Sequence, residues 1–151
     1  MSEAIIADTS PLIALERIDL LSIICKIYSD VIIPEAVIKE FGNLSLPCCS
    51  VKKVEGNLLK LLVADLNLGK GEAEVITLAS QTGLKVIIDD SRARRIAENM
   101  GLTVIGTIGI LLKAEKVGLI ASANIKIKEL RSKGFYVADE LLEKVSRFNN
   151  S

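Results

Sequence analysis

The sequence contains no histidine and no tryptophan. Without imidazole it has no Ser-His or Cys-His nucleophile pair, no HExxH zinc site and no His-relayed acid–base catalysis. Only five residues are aromatic, two Tyr and three Phe, in a chain of 151 that is half hydrophobic. The core must therefore be built from Ile, Leu, Val and Ala, a composition that suits helices packed on a parallel sheet. Net charge is also missing, since 19 Lys plus Arg balance 19 Asp plus Glu. By itself that announces neither a nucleic-acid binder nor an acidic-ligand binder. Basic residues do gather between positions 113 and 134, six Lys or Arg against two Glu, as on a solvated helix face. No apolar run approaches the ~18 residues of a membrane span, so no membrane partner is expected. Cys25, Cys48 and Cys49 are odd in number and follow no signal peptide, which predicts a cytoplasmic chain with free thiols. With no His beside them, these cysteines do not read as a zinc site.

Strand and helix alternate along the chain, within a length that suits a single domain over 1–151. "EAIIADTSPLIALERI" predicts a strand over 4–7 ending on Asp8, then a helix capped by Thr9 or Ser10 with Pro11 in its first turn. "DVIIPEAVIKEFG" predicts a strand over 31–33, a helix opened by Pro34 and stopped by Gly42, and Glu40 near that helix's end. Residues 43–54 read as a loop leading to a short strand around 51–54. "LGKGEAEVITLASQTGLKVIIDD" predicts a helix over 71–81 with Ala73, Ile76, Leu78 and Ala79 inward, a stop at Gly83 and a strand over 86–88. A helix over 91–100, a strand over 103–105 and a helix over 107–116 follow, and 121–133 and 138–147 are amphipathic and helical. The alternation predicts an α/β fold with a mostly parallel sheet. Ligands in such folds sit beyond the carboxyl ends of strands, where Asp8 and Asp90 lie.

Five acids carry the chemistry: Asp8, Glu40, Glu72, Asp89 and Asp90. Taken singly, Asp8 or Asp90 reads equally well as a helix N-cap, Glu72 as a partner for a helix dipole and Glu40 as a solvated residue. Taken together, two stand at strand ends and two on helices that can line the same rim. Crowded carboxylates repel and rise in pKa unless a cation neutralises them, and oxygen-only donors suit Mg²⁺ or Mn²⁺. Such a site activates water for attack on a phosphodiester.

The pieces "IIADTSPLIAL", "VIIPEAVIKEF", "GEAEVITLA" and "VIIDDSRARRIAENMGLTVIGT" resemble PIN-domain ribonucleases, whose best-studied members are VapC-type toxins. The likeness covers about residues 4–120, leaving 121–151 as a helical C-terminal extension. It implies an α/β/α sandwich and a metal-dependent endoribonuclease of the kind that serves as the toxin of a toxin–antitoxin pair, with an antitoxin protein as partner. The implied metal ligands are Asp8, Glu40, Glu72 and Asp90, with Thr9, Ser10 and Asp89 in support. Glu74 competes with Glu72 for the third position, where most relatives carry Asp. The resemblance also implies a homodimer, with the apolar stretch 12–28 serving either as its surface or as core. Arg92 and Lys113 are candidate RNA contacts, each weighed against an ordinary solvated role. The alternative is a catalytically weak PIN-like RNA-binding or protein-interaction module. A receiver domain is disfavoured because only one Asp ends the first strand, and "LGKGEAE" lacks the order of a phosphate-binding glycine loop.

Overall fold

The computed structural model describes residues 3–136 together with 144 and 145. Strand β1 (Ala4–Ala7) leads to α1 (Thr9–Arg17), a 3₁₀ turn (Leu21–Ile23) and the single-turn α2 (Ile24–Ile27). Next come β2 (Asp30–Pro34), α3 (Glu35–Phe41), β3 (Cys49–Lys52), α4 (Asn57–Ala64) and α5 (Lys70–Thr82). The chain continues through β4 (Lys85–Ile87), α6 (Ser91–Asn99), β5 (Val104–Ile105), α7 (Thr107–Lys116) and α8 (Ala123–Ser132). All but two residues of the predicted helix over 138–147 lie outside the described residues. No helix among the described residues is long and apolar enough to cross a membrane.

The five strands among the described residues are all parallel, in the order β3-β2-β1-β4-β5. Parallel neighbours need crossovers, and the helices that supply them cover the sheet as an α/β/α sandwich. The inner strands β1 and β4 are covered on both faces, so Ile5, Ile6, Val86 and Ile87 are fully buried and their segments read as unbroken apolar runs. From β1 the chain winds outward to β3, then restarts at β4 on the other side of β1. That reversal opens a crevice at the carboxyl ends of β1 and β4. Register there pairs Ala7 with Ile87, and the Asp8 N–H donates to the Ile87 carbonyl at 3.0 Å. Asp8 and the Asp89–Asp90 doublet thus leave the sheet side by side.

Helix α5 packs against β1, β2, β4, α3 and α4. Its Ala73, Ile76 and Ala79 are fully buried, and Gly83 closes it in the left-handed region at φ +75°.

Three expectations change. The strand predicted over 51–54 forms at Cys49–Lys52, because pairing with β2 runs from Val31 opposite Cys49 to Pro34 opposite Lys52, and Val54 turns into the core. Helix α4 occupies a stretch for which the sequence predicts no element. The expectation of three free thiols is corrected by a disulfide between Cys25 and Cys48. The return of the chain through β2 and α3 brings these residues, 23 apart in sequence, to a Cα separation of 5.5 Å, within bonding range. Cys49 stays free and half-buried, and burial raises its thiol pKa. The stretch 12–28 serves as core, with Leu12, Leu15 and Ile24 fully buried.

Candidate active site

Asp8 sits at the N-cap position of α1, one residue before the expected Thr9 or Ser10, because the helix already begins at Thr9. Its side chain makes no N-cap bond to the second or third helical N–H. At 4% exposure its carboxyl is pushed up to about 7, mainly by burial. A bond from the Thr9 backbone opposes the rise, while Glu72, Glu40 and Asp89 add to it by repulsion. The Thr9 hydroxyl beside it is buried and has no hydrogen-bond partner among the described residues. Ser10, the next residue of α1, is exposed.

Glu72 lies in the first turn of α5, where its carboxylate accepts from the N–H of Gly69 at the N-cap position. Burial raises its pKa, Asp90 and Glu40 add repulsion, and Arg92 opposes them. Glu40, exposed in the last turn of α3, rests its carboxylate against Gly71. A Cβ at position 71 would collide with Glu40 Oε1. Gly71→Ala is accordingly expected to keep or slightly raise the melting temperature, since Ala favours helix by up to ~1 kcal/mol. The same change displaces the Glu40 carboxylate, so metal affinity measured by titration calorimetry should fall several-fold.

Asp90 caps α6, its Oδ2 accepting from the Ala93 N–H at 2.9 Å. The capping role weighed for it is therefore real, but it engages one carboxylate oxygen, and repulsion from Asp90 reaches Glu72. The structure thus brings Asp8, Glu40, Glu72 and Asp90 to one rim.

Two further acids have other partners. Asp89 spends both oxygens on Thr107: Oδ1 accepts the Thr107 N–H at 2.7 Å and Oδ2 accepts its hydroxyl at 2.5 Å. This clamp ties the end of β4 to the start of α7, where a carboxylate also complements the helix dipole. The sequence predicts Thr107 only as a helix start. Its signal there was a Gly-Thr pair directly after a strand. Glu74, the competitor of Glu72, is buried at 4% exposure and accepts from the Ala36 N–H at 2.9 Å. It caps α3 from a distance, which Pro34 at that helix's N-cap position cannot do.

The basic candidates separate. Arg92 donates to the backbone carbonyls of Leu66 and Asn67 and stands near Glu72, bracing the turn that leads into α5. Lys113 pairs with Glu3 at 3.5 Å and lies 4.9 Å from the Tyr28 ring centroid. Glu3 precedes β1, whereas Asp8 follows it, so Lys113 is held at the opposite edge of the sheet, on the order of 15 Å away.

As placed, no three acidic side chains among the described residues converge closely enough to chelate one ion. The donor set still fits a hard divalent cation: the rim offers oxygen only, burial and repulsion leave Asp8 and Glu72 short of positive charge, and the buried Thr9 hydroxyl lacks a partner. Side-chain rotation at the exposed Glu40 and half-buried Glu72 would be needed to close the set.

Comparison with known proteins adds one match. A family model described as a PIN domain covers residues 4–151. No curated protein and no solved structure matches the chain.

Proposed function

The chain belongs to the PIN-domain family, whose members are generally nucleases that use divalent metals, and from that premise we propose a metal-dependent endoribonuclease acting on single-stranded RNA. The observation that carries this reading is the buried Asp8, held near neutrality in its pKa among facing carboxylates at the switch point of the sheet. Asp8, Glu40, Glu72 and Asp90 would hold Mg²⁺ or Mn²⁺. When bound, the ion lowers the pKa of a coordinated water and stabilises charge on the attacking and leaving oxygens.

The remaining work falls to the chain. Asp8 gives up its proton as positive charge arrives, so a cation competes well with that proton only near neutral pH and above. The buried Thr9 hydroxyl, without a partner among the described residues, would be free to orient an oxygen ligand beside Asp8. The Asp89–Thr107 clamp fixes the turn after β4, and with it the backbone that carries Asp90. Arg92 steadies the approach to Glu72 from the 66–67 turn.

In-line attack needs a flexible phosphodiester, which favours unpaired RNA. With few aromatics in the chain, phosphate contacts dominate affinity, and binding weakens as salt rises. A toxin role within a toxin–antitoxin pair, and a homodimeric state, are the finer readings the family resemblance carries. The rival reading, a catalytically weak RNA-binding or interaction module, draws on the acids' failure to converge as placed.

Incubation with labelled single-stranded and hairpin RNA, in EDTA, Mg²⁺ or Mn²⁺, separates the two. Fragments are expected only with metal and mainly from unpaired segments. If no substrate is cut with either metal, the nuclease reading fails.

A further inference from the structure

Beside the acid rim runs a cleft of about 870 Å³ that the proposed chemistry leaves unused. It is bounded by α6, the start of α7 and the Phe135–Tyr136 pair that follows α8. Asp8, Glu40 and Glu72 do not line it. It begins instead at Asp89 and Ser91, the two chain neighbours of Asp90.

One wall is basic. Ser91, Arg94 and Arg95 recur on one side of α6 at helical spacing and face the cleft. Arg94 Nη1 donates to the Ile88 carbonyl at 3.0 Å. Position 106 must be glycine for this guanidinium to lie there, since a Cβ would stand 2.6 Å from Arg94 Nη1 and 2.9 Å from Asp89 Oδ1. Arg95 is exposed and has no ion pair among the described residues. Two acids also line the cleft, but Asp89 is engaged by Thr107, and Glu98 lies about a turn further along α6, away from Asp90. The end nearest the rim therefore presents the arginines.

The other wall carries two of the chain's five aromatics. Phe135 is half-buried, with the Arg17 guanidinium 5.4 Å from its ring centroid. Tyr136 is 92% exposed, so its ring does nothing for the core and stands free at the cleft mouth. Guanidinium groups facing an exposed aromatic ring form the arrangement that takes an unstacked nucleotide.

We propose that this cleft seats the nucleotide beside the cut phosphodiester, with Arg95 and Arg94 on its phosphate and Tyr136 stacked on its base. The assignment rests on the nuclease reading for its place next to the cut, but the binding it predicts can be read without cleavage.

The test uses the full chain carrying Asp8→Asn to silence cutting, in Mg²⁺, with fluorescence anisotropy of a labelled single-stranded oligoribonucleotide and of its duplex. Tyr136→Ala should weaken single-strand binding roughly five- to hundredfold with the salt slope unchanged. Tyr136→Phe should bind as the parent does. Arg95→Ala should weaken binding and lower the salt slope by about one. The duplex should bind more weakly than the single strand. The cleft is rejected if Tyr136→Ala and Arg95→Ala both bind like the parent, if the duplex binds as tightly as the single strand, or if the parent binds neither. Wild-type cleavage combined with parent-like binding of the variants sinks the cleft alone. Cleft-dependent binding without wild-type cleavage sinks the nuclease reading alone.

Discussion

Asp8→Asn is expected to lower metal-dependent RNA cleavage by about a thousandfold while leaving the chain folded. A bound ion supplies several kcal/mol of charge stabilisation, and each ~1.4 kcal/mol is a factor of ten in rate. Asparagine keeps the size of Asp8 and one oxygen, but removes the negative charge that would draw the ion into the crevice between β1 and β4. Asp90→Asn should cost less, because asparagine can still accept the Ala93 N–H and hold α6 in place. Glu74→Gln is the control, since its carbonyl oxygen can replace the acceptor for Ala36, and Glu74 lies outside the rim. The readout is kcat/KM on a labelled single-stranded RNA in Mn²⁺. An Asp8→Asn rate within tenfold of wild type would remove Asp8 from the chemistry.

These acids differ in how legible they are in the sequence, for geometric reasons. Asp8 and the Asp89–Asp90 doublet were legible because apolar runs mark buried parallel strands, and a carboxylate at such a run's end must stand at the sheet's carboxyl edge. The choice between Asp89 and Asp90 was harder, because successive side chains leaving a strand point to opposite sides. Only the position of α7 decides that Asp89 faces Thr107.

Glu72 and Glu74 pose the same problem on a helix. Two residues apart, they project about 200° from one another, so one meets the rim and the other the core. Both have apolar neighbours, since α5 is buried on most sides, and no local pattern says which is which. Glu74 is settled by a contact 38 residues away in sequence. Lys113 illustrates the cost of reading proximity along the chain. It follows the Gly106–Thr107 turn closely, yet six helical residues carry it roughly 9 Å down the sheet, toward Glu3. The Cys25–Cys48 pair escaped for a similar reason, because only the return of β2 and α3 brings the two together.

Burial of Asp8 also predicts a pH-dependent stability with a definite sign. Its folded pKa stands at about 7, against 3.8 for an aspartate open to water. Between those pH values the folded chain retains a proton that the unfolded chain has released. Stability from this group is therefore full below about pH 4, falls as pH rises, and is lost by about pH 7. A shift of roughly three units at ~1.4 kcal/mol each makes the loss on the order of 4 kcal/mol. Glu72, also raised, adds a slope of the same sign. Asp8→Asn has no proton to lose at this position. In EDTA at pH 8 it should be the more stable chain by a few kcal/mol, with the gap closing toward pH 4. Added Mn²⁺ should stabilise wild type and narrow the difference, because a bound cation replaces the proton as the partner of the buried carboxylate, whereas Asp8→Asn should gain little. Urea denaturation from pH 4 to pH 8, with and without Mn²⁺, reads all of this. Parallel pH profiles for the two chains would mean that Asp8 is not held uncharged in the folded protein. In that event the case for a cation at the crevice would rest on Glu40, Glu72 and Asp90 alone.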